Sequence, residues 1–484
     1  MPAINRQNKP PMGLKWRSNT FFILTTVAIG MFTDLFLFGL VVPIVPFILN
    51  DRISIPHDEI QYYTSLLLAC YAGAQFLFSI PVGIVADKLP ARQVPFLFGL
   101  TALLGATVML YLGQTIQVLI LARILQGMSA SVVWTVGLAL VLDTVGNDKL
   151  GVTIGSIFSF ISVGELMAPV LGGVVYKKAG SAAVFGMGFG LIAIDFIMRL
   201  ALIEKKMAAK WILDAVTQTS ASTLAHNDEE EASEDSPFLA SENGDGYTNF
   251  HYDLEQWKIP KNQPTLIRKF PIIYAFSNSG MLTAQAVGFV QAMLLAVFDA
   301  TIPTEAQDLF GFDSLKAGFL FVPLVLPYLI LGPVFGRLTD MYGPKAGATL
   351  GLSYIMIPLI LLRIPHEGGA PEIAKFCVFL AMCGLGLATV SSPSVVESSN
   401  VMEKYHLANP DLFGEKGPYA QLYAVGSMVF SAGLTVGPMV AGSLRTQIGY
   451  GNMSAVVAGS CFVVSVLSFL YLGGKPKILS GCAR

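Results

Sequence analysis

The hydrophobic pattern divides the chain into twelve long apolar runs. Each run is about 20 residues or longer, which is enough for a helix to cross about 30 Å of hydrocarbon. Because no backbone polar group can stay unpaired in lipid, these runs are predicted to be helices. The predicted spans, numbered 1 to 12, cover residues 20–49, 61–86, 94–113, 116–143, 151–176, 181–203, 270–298, 315–335, 346–364, 373–397, 419–444 and 451–473.

Composition supports a membrane protein. The 484 residues are 54% hydrophobic and 13% charged, whereas a large soluble enzyme would need more charge. The five histidines fall in predicted loops, and the helices contain no nucleophile elbow or phosphate-binding loop, so we expect neither an enzyme nor a cofactor or metal site. With a net charge of −2 and no basic stripe, a nucleic-acid partner is not expected.

The spans form two groups of six around a polar segment. We expect a cytoplasmic tail (1–19), a first six-helix bundle (20–203), a polar linker (204–268), a second bundle (270–473) and a second tail (474–484). Lys and Arg concentrate in the tails and in the loops on the same side, which places both termini in the cytoplasm. The linker is rich in Ser, Asn, Asp and Glu, and we expect it to be largely disordered.

Span 1 contains one acid, Asp34, near its middle. A carboxylate at this depth costs several kcal/mol unless it is paired, is protonated or faces water. Such residues usually mark the path of a substrate or a proton. This position therefore predicts a transporter.

A sequence repeat joins the two halves. Similar turns follow span 2 and span 8, at the same ordinal place in each half, as expected for a duplicated transporter. The shared positions are Gly83, Asp87 and Arg92 in the first turn and Gly336, Asp340 and Lys345 in the second.

These turns resemble the cytoplasmic signature of the major facilitator superfamily, and the resemblance extends over essentially every span. It implies that each Asp lies at the N-terminal end of a helix in the opposite half and joins a charge cluster that holds an inner gate shut. Pro90 and Ala91 depart from the family pattern, which suggests a weaker first cluster. The alternative is that the bases only anchor the loops on the inner side.

Span 4 contains Arg123, followed by Gln126 and Gly127, which resembles a second family pattern. The resemblance implies that Arg123 tunes a nearby carboxylate in proton coupling, and Asp34 is one candidate partner. Because Arg stays protonated, it needs acidic or carbonyl partners inside a span. The alternatives are a structural ion pair or an arginine that extends to the interface.

Span 5 carries small residues and a proline at the intervals of the antiporter branch of the superfamily. Small residues allow helices to approach closely, and proline bends a helix, which suits a moving element; a generic packing surface is the alternative. These residues are Gly155, Gly164, Ala168, Pro169, Gly172 and Gly173, and Ala168 stands where the family motif usually has Gly.

Further polar groups lie inside the predicted spans. Glu165 follows Gly164 and could serve either coupling or structure, whereas Asp195 and Arg199 in span 6 are four residues apart and favour a structural pair. A last set carries amide or indole groups that could line a weakly polar cavity, although helix–helix hydrogen bonding is the more common role of each. These are Gln75, Gln126, Trp134, Gln285 and Gln291.

The sequence around Asp34 resembles the lineage of vesicular amine transporters and drug:proton antiporters, in which the acid lies in the cavity. Tyr71 replaces the Lys of that lineage, and Val390 and Ser427 replace its acids in spans 10 and 11, so fewer groups would couple protons.

The sequence thus predicts an all-α, twelve-span transporter in two pseudo-symmetric bundles. We expect a monomer that exports amphipathic organic compounds in exchange for protons. We expect it in the plasma membrane or in a vacuolar membrane, and its middle loop and span 6 resemble those of fungal members of the superfamily. Two alternatives stay open: transport of an organic anion or nutrient through Arg123, and a receptor on the same scaffold.

Overall fold

The apolar runs form helices in the computed structural model, which describes residues 11–41, 52–89, 91–209, 255–260, 270–312, 319–414 and 417–473 with a few single positions between them. All regular secondary structure in these residues is helical. Most of the predicted linker and the tails 1–10 and 474–484 lie outside the described residues.

Twelve spans follow from the helices. Eleven stretches of the described chain are long and apolar enough to cross a membrane, and one of them contains spans 5 and 6, because Gly180 has a non-helical conformation with φ 76°. The helices of spans 1 to 6 are Thr20–Val41, His57–Lys88, Gln93–Leu112, Ile116–Val145 and Leu150–Ala201, the last one holding two spans. Those of spans 7 to 12 are Ser279–Phe310, Phe321–Tyr342, Pro344–Leu361, Ala370–Val390 with Pro393–Ala408, Tyr419–Ile448 and Tyr450–Tyr471. The prediction of twelve spans is confirmed.

The predicted bounds of span 7 are wrong at both ends. Asn278 starts the helix, because its Oδ1 accepts hydrogen bonds from the backbone N–H groups of Gly280 and Met281 at 2.9 and 3.2 Å. The helix then continues to Phe310, twelve residues beyond the predicted end. The predicted end follows from the fall in hydropathy after Phe298. A helix can continue beyond that point, because it needs no apolar side chains once it leaves the hydrocarbon.

Spans 8 and 10 also differ from their predicted bounds. The span 8 helix is Phe321–Tyr342, so it begins and ends later than predicted. Span 10 is two helices, and Pro393 occupies the first turn of the second, where a missing N–H costs nothing.

Two contact surfaces hold the halves together. Span 5 packs along span 8, and span 2 packs along span 11. We call these the 5–8 seam and the 2–11 seam. The repeated turns lie at one end of both seams, which we call the inner end.

Candidate functional site

Asp34 lies in a closed pocket inside the first half. Its Oδ2 accepts a hydrogen bond from the Tyr71 hydroxyl at 3.2 Å and another from Trp134 Nε1 at 3.1 Å. Its side chain is 0% exposed, and its Oδ1 has no hydrogen-bond partner among the described residues. Asp34 therefore does not line an open cavity in this conformation, contrary to the expectation from the family, because Tyr71 and Trp134 cover it.

Arg123 does not form an ion pair with Asp34 in the described structure. Its Nη1 donates to Gln126 Oε1 at 2.8 Å, and its guanidinium lies over the Phe38 ring at 5.8 Å. Phe38 in turn packs against the Tyr71 ring, with centroids 4.6 Å apart. The expected contact is replaced by these two rings, and Tyr71 hydrogen-bonds with Asp34 at the position where the resembling lineage carries a Lys.

An aromatic layer lies over the Asp34 pocket. The Trp134 ring stacks on Phe430 of span 11, with centroids 6.3 Å apart and an interplanar angle of 18°. Phe158 of span 5 packs against the same indole at 6.0 Å. Trp134 therefore contacts the buried acid with its N–H and the opposite half with its ring.

Glu165 interacts electrostatically with an acid that the sequence analysis missed. This residue is Asp299 of span 7, one residue beyond the predicted end of that span. Asp299 is exposed and Glu165 is partly buried. The signal that could have found Asp299 is an isolated acid at the end of an apolar run.

The acid of span 6 has a different environment. Asp195 accepts a hydrogen bond from Arg199 at 3.2 Å, and both side chains are about 2% exposed. The Arg199 guanidinium also lies 3.5 Å from the Phe96 ring centroid. This pair neutralises itself inside the first half, as its spacing predicts.

The amide side chains make contacts between and within helices. Gln285 donates to Ser398 Oγ at 3.0 Å, and Gln126 accepts from Arg123. Gln291 is 2% exposed, and its amide nitrogen has no hydrogen-bond partner in the described residues. Gln75 is buried, and its backbone carbonyl accepts a hydrogen bond from Ser131 of span 4.

The first repeated turn contacts span 11 at the inner end. The Asp87 carboxylate accepts hydrogen bonds from the backbone N–H groups of Ala420 and Gln421, at 3.0 and 2.9 Å, where the span 11 helix begins. Arg92 pairs with Asp87 at 3.1 Å and with Asp143 at 3.4 Å. Asp143, at the end of span 4, is a partner that the sequence analysis did not find.

The second turn contacts span 5 in the same way. The Asp340 carboxylate accepts hydrogen bonds from the backbone N–H groups of Gly151 and Val152, both at 2.8 Å. Lys345, the counterpart of Arg92, has its Nζ over the Phe469 ring at 5.1 Å. Each Asp thus lies at a helix N-terminus of the opposite half, where a negative charge is favourable.

The small residues of span 5 contact two helices. A Cβ on Gly164 would lie 2.6 Å from the Phe32 ring, and one on Gly172 would lie 2.4 Å from the Leu40 carbonyl oxygen, both in span 1. Ala168 is fully buried beside Gly39. Nearer the inner end, a Cβ on Gly155 would lie 2.3 Å from the Gly332 carbonyl oxygen of span 8.

The other positions of this motif have different surroundings. Pro169 lies inside the helix, and a Cβ on Gly173 would meet no atom within 4 Å. The close approach is thus made by four of the six residues. Together, the two seams hold the halves in contact at the inner end.

The whole chain is similar to known transporters. The family described as Major Facilitator Superfamily matches residues 27–408. An MFS-type transporter of Metarhizium rileyi, ppzB, is 43% identical over 96% of this chain and 98% of the relative. An uncharacterized MFS-type transporter of Schizosaccharomyces pombe, C18.02, is 39% identical over 94% of this chain and 98% of the relative.

More distant similarities are also found. The vesicular acetylcholine transporter of Drosophila melanogaster is 22% identical over 95% of this chain and 74% of its own length. Among solved structures, the human organic anion transporter MFSD10 has a TM-score of 0.61 at 15% identity, and the match covers 95% of this chain and all of that one. At this identity the structural match shows the fold alone.

Proposed function

Because the chain belongs to the major facilitator superfamily and is a multi-pass membrane transporter, we propose that it exports amphipathic organic compounds in exchange for protons by alternating access. The observation that carries the proposal is Asp34, an acid buried at mid-span without a basic partner in the described residues. It acts as a monomer with both termini in the cytoplasm, in the plasma membrane or a vacuolar membrane.

The Asp34 pocket has one place for a proton. Oδ2 already accepts two hydrogen bonds, whereas Oδ1 has no partner in the described structure. A proton can therefore add to Oδ1 without displacing Tyr71 or Trp134. A buried carboxylate without a base is costly, which supports a group that changes charge during the cycle rather than a fixed structural ion.

Protonation of Asp34 changes the contact between the halves through Trp134. Hydrogen bonds to a carboxylate are roughly twice as strong as those between neutral groups. A proton on Asp34 therefore weakens its hold on the indole, which also stacks on Phe430 of the opposite half. The rearranged indole shifts the balance between two conformations that lie close in energy.

The closed inner end fits one stage of this cycle. With both repeated turns docked on helix N-termini, cargo cannot leave towards the inner side in this conformation. Proton uptake in this state and release in the opposite one would drive export. The repeated turns then act as the inner gate.

A second candidate is the transport of an organic anion. Two guanidinium nitrogens of Arg123, Nε and Nη2, are buried without a hydrogen-bond partner in the described residues. A carboxylate of the cargo could accept from both, because the planar guanidinium suits bidentate recognition. In this version Arg123 binds cargo instead of tuning a proton site.

The test is proton-driven flux in proteoliposomes with an imposed pH gradient, using a panel of cationic, neutral and anionic compounds. Asp34→Asn should reduce gradient-driven export at least about tenfold, because the amide binds no proton. Asp411→Asn, which replaces an exposed acid in the short helix Pro410–Phe413, is the control and should leave flux unchanged. Unchanged export in the Asp34 variant would refute the proposal. Flux restricted to anions and abolished in Arg123→Gln would support the second candidate.

A further inference from the structure

The end of the predicted linker lies on the inner part of span 10. The structure describes residues 255–260 of this linker, and we call them the linker end. The Asn409 side chain binds two of its backbone groups: Nδ2 donates to the Trp257 carbonyl oxygen, and Oδ1 accepts from the Ile259 N–H, both at 2.9 Å. Nδ2 also donates to the Tyr405 carbonyl oxygen at 2.9 Å. Asn409 therefore ties the linker end to span 10.

The Asn409 contacts are those of a site that binds a peptide. Asn409 is only 9% exposed, and both its amide nitrogen and its amide oxygen have hydrogen-bond partners. Because a buried amide is costly to leave unpaired, losing the linker end would leave this side chain poorly satisfied. Both contacts with the linker end are made to backbone groups, so they fix the path of the segment.

Trp257 supplies the main side-chain contact of the linker end. Its ring meets the Tyr405 ring edge to face, with centroids 5.0 Å apart and an interplanar angle of 86°. Lys404 Nζ lies 5.1 Å from the centroid of the same indole. The neighbouring Lys258 is 59% exposed and pairs with Glu255 of the same segment. The two side chains of the linker end, Trp257 and Lys258, thus allow the anchor and its surroundings to be changed separately.

The same helix of span 10 also contacts the first half. Ser399 Oγ donates to Asn147 Oδ1 at 2.6 Å, and Asn147 Nδ2 donates to Glu403 Oε2 at 2.5 Å. Asn147 lies between spans 4 and 5, so these contacts join the halves in addition to the two repeated turns. Tyr405 lies two positions after Glu403, about 200° around the helix. The linker end and the first half therefore contact opposite faces of one helix.

This helix, Pro393–Ala408, is a separate piece of span 10. The preceding helix of the span ends at Val390, and Pro393 has no N–H with which to continue its hydrogen bonds. A break of this kind allows two helices to change the angle between them. The contacts on its two faces therefore determine the orientation of the inner helix.

We propose that the linker end is a positioning segment for the inner gate, held on a docking surface formed by Lys404, Tyr405 and Asn409. It keeps the helix Pro393–Ala408 in the orientation in which Ser399 and Glu403 meet Asn147. Release of the linker end lets this helix tilt and loosens the contact between the halves, so the linker controls how readily the inner end opens. This role goes beyond the proposed function, because it concerns the gate and depends on neither the cargo nor the coupling ion.

The test measures opening of the inner end by hydrogen exchange in the purified full-length protein. The reporters are the four backbone amides that donate to the repeated turns, those of Gly151, Val152, Ala420 and Gln421. The variants are Trp257→Ala, Asn147→Ala and both together. Lys258→Ala is the matched control in the same segment, and Trp257→Phe keeps an aromatic ring at the anchor. The melting temperature shows that each variant is folded.

Trp257→Ala should speed exchange at all four amides by about three- to tenfold, the factor expected from an aromatic pair and a cation–π contact. Lys258→Ala should match the wild type, and Trp257→Phe should lie between the wild type and the alanine variant. Faster exchange confined to the linker end, at the amide of Ile259, would overturn the inference. The segment would then be packed on the helix without positioning it.

The double variant tests the route through Asn147. If the linker end positions the partners of Asn147, then Trp257→Ala should speed exchange less in the Asn147→Ala background than in the wild type, because the contact that it positions is already lost. An equal factor in the two backgrounds would show that the effects are independent and would reject the inference. Neither measurement uses a cargo or a pH gradient, so the result stands apart from the export assay on Asp34→Asn.

Discussion

The 5–8 seam and the 2–11 seam both join the two halves, but they are built from different kinds of contact. In the 5–8 seam, backbone lies on backbone: a Cβ on Gly336 would come 2.2 Å from the Gly151 carbonyl oxygen. In the 2–11 seam, a Cβ on Gly83 would come 2.6 Å from the Ala424 methyl carbon and 2.9 Å from the Ala420 carbonyl oxygen. The first seam depends more on close approach.

The 2–11 seam adds a charge network to its looser packing. Asp87 contacts two backbone N–H groups and also pairs with Arg92, which reaches Asp143 as well. Asp143 in turn pairs with Lys206 at 2.9 Å. Duplicated halves can therefore reach similar closure by different routes, and the difference can be measured seam by seam.

The largest effect should come from adding a methyl group to the tighter seam. Gly336→Ala must move one backbone away from another, so we expect a cost of about 3 kcal/mol or more, at the upper end of the range for overpacking. Gly83→Ala should cost less, because a Cβ there comes within 3.0 Å of two atoms, whereas a Cβ on Gly336 comes within 3.0 Å of three backbone atoms. Hydrogen exchange at the amides of Gly151 and Val152 measures opening of the 5–8 seam. Exchange at the amides of Ala420 and Gln421 measures opening of the 2–11 seam. Faster exchange in the Gly83 variant than in the Gly336 variant, each at its own seam, would contradict the comparison.

Removing the carboxylate charges should have the next largest effect. Here the loss of stability should be larger at the 2–11 seam than at the 5–8 seam. Asp87→Asn weakens two charge-assisted hydrogen bonds and also leaves Arg92, which is 4% exposed, with fewer acidic partners; we expect a loss of about 2–3 kcal/mol at the inner end. The two amide contacts of Asp340 account for about 1–2 kcal/mol of the loss expected for Asp340→Asn. The same exchange experiment measures both. Equal losses would mean that the Arg92 network adds nothing.

The smallest effect is expected at Lys345. Its Nζ lies over Phe469 and contributes about 0.5–1 kcal/mol as a cation–π contact. Lys345→Ala should therefore leave exchange at Gly151 and Val152 nearly unchanged, whereas Arg92→Ala should speed exchange at Ala420 and Gln421. A large effect of the Lys345 variant at the 5–8 seam would show that the two bases are equivalent after all.

Much of the fold could be predicted because lipid restricts the choices. Twelve apolar runs can only be helices, and the recurrence of Asp87 as Asp340 marks the duplication. The bounds of span 7 could not be found in this way. Its helix continues to Phe310 through Asp299, Glu305 and Asp308, where hydropathy no longer reports on helical structure.

The contacts of the candidate site were harder to predict than its members. Asp34 and Arg123 are on neighbouring helices, but which side chain meets the acid depends on helix rotation, and Tyr71 and Trp134 occupy that place. Asp143 lies 51 residues from Arg92, so no local pattern connects them. Asp299 was missed because a wrong helix end removed it from consideration.

The position of Trp134 gives the protein an optical label of its own. The chain has four tryptophans, and this one contacts both a group proposed to take up a proton and a ring of the opposite half. Indole emission changes with nearby charge and with aromatic stacking. In a variant in which the other three tryptophans are replaced by Phe, the fluorescence emission of Trp134 should change during transport. Transport could then be followed without attaching a dye.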